Sequence, residues 1–129
     1  MSDIFSKIIA GEIPSHKVYE DENHYAFLDV NPNALGHTLC VPKKEVDKIF
    51  DLSEEDYNQL MNFSRKVALA LRKAIPCKRI GMSVIGLEVP HVHVHLIPLQ
   101  NMAEATFQKK IKPIPEKFEE IAKKIQSCF

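Results

Sequence analysis

Three histidines alternate with apolar residues in the run His91-Val92-His93-Val94-His95-Leu96. On a β-strand, side chains at i, i+2 and i+4 share a face. All three imidazoles then point one way, and Val92, Val94 and Leu96 point the other. Two kinds of chemistry suit such a row. Histidine is the commonest metal ligand, and an i, i+2 pair on a strand grips one zinc ion. The outer pair, however, is separated by about 13 Å along a strand rising ~3.3 Å per residue, which makes it hard for all three to reach one ion. A third ligand would come from elsewhere, and no Cys or Asp/Glu cluster flanks the run. The second chemistry is phosphoryl transfer. A neutral imidazole is a competent nucleophile at pH 7, and neighbouring imidazolium groups donate to phosphate oxygens. The middle ring, His93, has a histidine on each side and is the natural nucleophile.

The rest of the chain must supply elements that hold this strand. Ser2 or Asp3 caps a segment in which Ile4, Phe5, Ile8 and Ile9 fall at helical spacing, until Gly11 and Pro14 stop it. Strand-like runs follow at 17–20, 24–30 and 37–41. The last two are joined by the turn-rich stretch Asn31-Pro32-Asn33-Ala34-Leu35-Gly36. Ser53-x-x-Asp56 resembles a capping box and opens the strongest helix. Its buried face is expected at Tyr57, Leu60, Met61, Ser64, Val67, Ala68, Leu71 and Ile75, with Phe63 outside the stripe and Pro76 ending the helix. Two more strands are expected at 79–85 and 91–98. Phe118, Ile121, Ala122 and Ile125 mark a last amphipathic helix, with Pro115 suited to its first turn. The pattern predicts an α+β fold: an antiparallel sheet of about five strands with a long helix and N- and C-terminal helices.

Composition narrows the partners. A chain of 129 residues, 45% hydrophobic and 26% charged, suits one domain with one core. Seventeen basic residues balance seventeen acidic ones, which argues against holding a nucleic acid polymer. Cys40, Cys77 and Cys128 form neither a disulfide framework nor a C-x-x-C pair, so three reduced thiols are expected. With no apparent leader and no apolar run near the ~20 residues of a membrane span, the expectation is a soluble cytoplasmic protein without membrane contact.

The triad with its flanks, His91-Val92-His93-Val94-His95-Leu96-Ile97, resembles the histidine-triad (HIT) superfamily. Asp3-Ile4-Phe5-Ser6-Lys7-Ile8-Ile9-Ala10-Gly11-Glu12-Ile13-Pro14 is similar to that family's N-terminal segment. Ala26-Phe27-Leu28-Asp29-Val30-Asn31-Pro32 and Gly36-His37-Thr38-Leu39-Cys40-Val41-Pro42-Lys43-Lys44 resemble its nucleoside-binding strand pair. The N-terminal likeness favours the phosphoramidase-like branch. The resemblance implies a single HIT domain over 1–129, with its core at about 3–98 and a C-terminal helical tail at about 114–127. It also implies a nucleotide hydrolase or transferase in which His93 attacks the α-phosphate of a purine nucleotide or nucleoside phosphoramidate. A covalent nucleotidyl-histidine forms, and water resolves it. His95 would bond phosphate oxygens, and His91 would help orient the nucleophile with support from His37. Asp29 would accept from both ribose hydroxyls, a task that suits an acceptor-only carboxylate. Phe5, Ile8, Phe27, Leu28, Val30 and Leu39 would line the base and sugar pocket. A homodimer is implied, for which Phe63 offers slight further support, and neither cofactor nor metal is needed.

One segment departs from the family's pattern. The Asn- and Gly-rich loop that ends Gly-Gln-Ser/Thr-Val in relatives is shortened here to Val84-Ile85-Gly86-Leu87-Glu88-Val89-Pro90. Gly86 and Val89 match, Leu87 stands for glutamine and Glu88 for the hydroxyl residue. Glu88 would repel phosphate and attract a cationic amine leaving group; alternatively it is a solvent-facing turn residue. A nucleotide-binding or scaffold protein with little turnover, and a zinc-binding module, are the competing functions. With three histidines together, a bell-shaped rate profile is expected, needing neutral His93 and at least one protonated neighbour.

Overall fold

Five short β-prone runs hydrogen-bond into one antiparallel sheet, the α+β arrangement that the alternation of strands and isolated helices predicts. The computed structural model describes residues 3–129, and Ser2, one of the two possible helix caps, lies outside them. Asp3 caps α1 (Ile4–Ile9), its carboxylate accepting from the Ser6 N–H at 2.8 Å. Strands β1 (Lys17–Glu20), β2 (His24–Leu28) and β3 (Thr38–Pro42) lead to α2 (Glu54–Ala74). Strands β4 (Arg79–Ser83) and β5 (Val94–Leu99) then precede α3 (Pro115–Gln126). The spatial order is β1-β2-β3-β5-β4, so β3 and β5 are neighbours, with Leu39 opposite His95 and Cys40 opposite Val94.

Both faces of the central strands are covered, and strand parity divides them. Ala26, Leu28, Cys40, Val94 and Leu96 join one core with α2 and α3. Tyr25, Phe27, Leu39 and Val41 face the other way, against Phe5 and Ile8 of α1. The triad rings lie on this second side, and Val92, Val94 and Leu96 enter the first core as expected.

Ser53 caps α2 as predicted, but the buried stripe is turned from the expected one. Phe63 is 4% exposed and stacks on the His24 ring at 4.9 Å. It is a core residue and lends no support to a dimer surface. Tyr57, Met61, Ala68 and Ile75 are only half-buried, while Ala70 and Ala74 take their place against the sheet.

β1 matches its expected run and β3 is shifted by one residue, whereas the other three strands are shorter than the runs that suggest them. Expected at 91–98, β5 begins only at Val94. Pro90 has no N–H to donate, His91 N–H turns back to the Val89 carbonyl, and Val92 N–H goes to Val46 outside the sheet. His91 and His93 therefore precede the ladder and only His95 lies within it. Similarly β2 stops at Leu28 and β4 at Ser83. Among the described residues no helix is long and apolar enough to cross a membrane, and the three cysteines are free.

Candidate active site

The turn between β2 and β3 places the first functional ring. Gly36 has φ +90°, and a Cβ there would stand 3.1 Å from Ile75 and 3.2 Å from Pro98, so glycine alone lets the chain pass beneath α2. The turn then aims His37 into the sheet's second face. Its Nδ1 accepts from the Asn33 N–H at 3.0 Å, which fixes the tautomer: a neutral ring must carry its proton on Nε2. Nε2 lies 3.0 Å from His95 Nδ1 and donates to it. His95 in turn keeps its proton on Nε2, the nitrogen left for the cavity it lines. Burial drives both rings to the neutral form, His37 to about 3 and His95 to about 4, with neighbouring positive charge adding to the effect. The relay therefore delivers a neutral N–H donor at neutral pH. The resemblance links His37 to His91; the structure places it against His95 instead.

His93 is oriented by its own backbone neighbourhood. Its Nδ1–H donates to the His91 carbonyl at 2.8 Å, leaving the Nε2 lone pair unprotonated. Burial holds its pKa below the usual histidine value, although the His91 carbonyl and the carboxylates of Asp29 and Glu88 oppose the shift. The ring meets Phe5 edge-on at 4.9 Å and His95 at the same distance.

His91 is wholly buried and points away from the cavity. Nε2–H donates to the Pro42 carbonyl at 2.8 Å, and Nδ1 lies 3.1 and 3.2 Å from the two carboxylate oxygens of Asp3. Burial would raise the Asp3 carboxyl, but the Ser6 N–H and the His91 charge outweigh it, and its pKa lies below the ordinary value. One carboxylate thus caps α1 and ties it to the residue whose carbonyl orients His93. Asp3→Ala should lower stability by about 1 kcal/mol for the lost cap and a further 1–3 kcal/mol, roughly, for the stranded His91 nitrogen. Asp3→Asn keeps a cap and should lose less. Equal urea midpoints for all three proteins would mean that this latch contributes nothing.

A cavity of about 440 Å³ opens between α1, the turn after β2, the loop before the triad and the segment after β5. Of the residues implied by the resemblance, Phe5, Asp29, Leu39, Gly86, Glu88, Val89, His93 and His95 line it. Ile8 and Phe27 support Phe5 from below. Two others are displaced: Leu28 points into the opposite core, and Val30 is 70% exposed outside the lining. Burial raises the pKa of Asp29 despite the Asn31 N–H on its Oδ1 and nearby Lys110. Glu88 lies exposed in a bend and borders the cavity. Thr106, Phe107 and Lys110 also line the site. The sequence reading misses them because that stretch has no periodicity; a lone aromatic among polar residues was the available signal.

Asp29, His37 and His95 bring potential ligand atoms within 4.8 Å of one another. His37 has no bare nitrogen to offer, because Nδ1 is occupied by Asn33 N–H and Nε2 carries the proton. A metal would have to dismantle the relay. The trio fits a hydrogen-bond chain and not a metal centre.

Residues 10–102 match the model of the HIT domain, nearly three-quarters of the chain. The chain belongs to the HIT family. Adenosine 5'-monophosphoramidase HNT1 of Saccharomyces cerevisiae is 40% identical over 96 residues, covering 74% of this chain and 61% of the yeast enzyme. That likeness puts this HIT protein on the phosphoramidase-like branch. A HIT-like protein from Bartonella henselae superposes with TM-score 0.87 at 34% identity, covering 99% of this chain and 96% of that one. A zinc-bound histidine triad family protein from Mycobacterium smegmatis gives TM-score 0.83 at 25% identity over 99% of this chain and 93% of that one.

Proposed function

We propose that this HIT protein is a cytoplasmic hydrolase or transferase acting on purine nucleoside phosphoramidates through a nucleotidyl-His93 intermediate. The observation that carries the reading is the complementary protonation of two adjacent rings: a bare Nε2 on His93 beside an Nε2–H on His95. One attacks phosphorus while the other donates to a phosphoryl oxygen. As the His93 Nε2–P bond forms, the P–N bond to the leaving amine breaks and the amine takes a proton from solvent. The His91 carbonyl, already bonded to His93 Nδ1–H, stabilises the cationic ring of the intermediate. Water then displaces His93 and releases the nucleoside monophosphate. Asp29 holds the ribose, and Phe5 and Leu39 pack against the nucleoside.

Release of AMP from adenosine phosphoramidate by the purified protein tests this reading. Binding of AMP without release would instead favour the nucleotide-binding protein with little turnover. Glu88 at the cavity's edge fits a cationic leaving group. Glu88→Gln should therefore lose more kcat/KM on an AMP phosphoramidate of a lysine-like amine than on one of a neutral amine. Equal losses would remove Glu88 from the mechanism.

A homodimer belongs to the same proposal. Among the described residues β4 is an edge strand, and its Met82 is half-exposed, so a second copy can extend the sheet there. Sedimentation at micromolar protein should give a dimer; a monomer would end that part of the reading.

A further inference from the structure

Lys110 is the single lysine or arginine lining the cavity among the described residues, and none of their ion pairs includes it. Its Nζ donates to Asn33 Oδ1 at 2.7 Å and stands 4.9 Å from the centre of the Phe107 ring. Both partners are neutral, so the ammonium is held in place without an ion pair, with the Asp29 carboxylate near enough to feel its charge. Asn33 is itself fixed: it is 3% exposed, its Nδ2 donates to the Glu104 carbonyl at 2.9 Å, and its N–H holds His37. Phe107 adopts φ 64°, a left-handed conformation costly for an aromatic residue, and its ring meets His95 edge-on at 4.8 Å. The segment after β5 is thus folded back with strain to lay Phe107 and Lys110 across the relay.

Among the described residues that line the cavity, no other side chain brings a positive charge for a phosphate. His37 and His95 are neutral near pH 7, and Asp29 and Glu88 are acidic. On the loop before the triad, Leu87 and Glu88 bring no side-chain donor. A phosphoryl group entering this cavity meets carboxylates and neutral rings unless a cation faces it.

We infer that Lys110 is a catalytic residue that binds the non-bridging oxygens of the substrate's phosphate and selects anionic phosphoryl compounds over neutral nucleosides. This rests on the nucleotide reading above. The lysine need only exchange Asn33 Oδ1 for a phosphate oxygen, a neutral acceptor for a charged one.

Calorimetric titration with AMP and with adenosine tests the inference on wild type, Lys110→Met and Lys110→Arg. Loss of one charge-assisted bond should weaken AMP about 10- to 100-fold in the methionine variant, with adenosine unchanged within about twofold. The arginine variant should recover most of the AMP affinity. Unchanged AMP binding by Lys110→Met, or an equal loss for adenosine, would overturn the role of Lys110 while leaving the nucleotide site intact. A wild-type protein that binds neither ligand would defeat the nucleotide reading and this inference with it.

Discussion

Replacing His93 with alanine should lower turnover of adenosine phosphoramidate by about 10⁴-fold or more, while AMP still binds. The size follows from the role. Without a nucleophile the two-step route is closed, and only positioning and the surrounding donors remain to assist water. Binding survives because Asp29, Phe5 and Leu39 still line the cavity. The measurement is single-turnover release of AMP alongside equilibrium binding. Wild-type turnover in the variant would remove His93 from the chemistry.

His95→Ala should cost about 10²- to 10³-fold in kcat, the usual loss when one donor to a developing oxyanion is removed. Activity within threefold of wild type would mean that His95 makes no such bond. The same relay determines the pH profile, and it revises the bell shape that three adjacent histidines suggest. His37 and His95 are pushed down to about 3 and about 4 by burial, so neither cavity-side ring carries a proton to be lost on the alkaline side, and His91 points away from the cavity. His93 must be neutral to attack, and its pKa lies below the usual histidine value. Wild-type rates should therefore be flat from neutral pH upward and fall on acidification through that lowered pKa. A decline between pH 7 and 9 would show that a charged histidine is needed after all.

Much of this site is legible because strand parity carries chemistry directly. Alternating His and Val place three rings on one face and three apolar side chains in the core, whatever the exact strand limits. Parity also supplies a correction the resemblance obscures. Phe27 and Asp29 face the site, so Leu28 and Val30 must face elsewhere, as the structure shows. The relay is less legible. That His37 serves His95 depends on the β3–β5 pairing, and its tautomer depends on an N–H four residues away in a turn. Lys110 is hidden entirely, and Phe107 shows only as a lone aromatic among polar residues. They reach the site through contacts such as Asn33 to Glu104 and Ile111 to Pro32, which no local pattern encodes.

The most direct test of the account is the stereochemistry at phosphorus. A chiral adenosine phosphorothioamidate hydrolysed in ¹⁸O-water passes through two in-line displacements if His93 is nucleotidylated, and each displacement inverts the centre. The account predicts net retention of configuration. Net inversion would mean that water attacks phosphorus directly, and the covalent role of His93 would be contradicted.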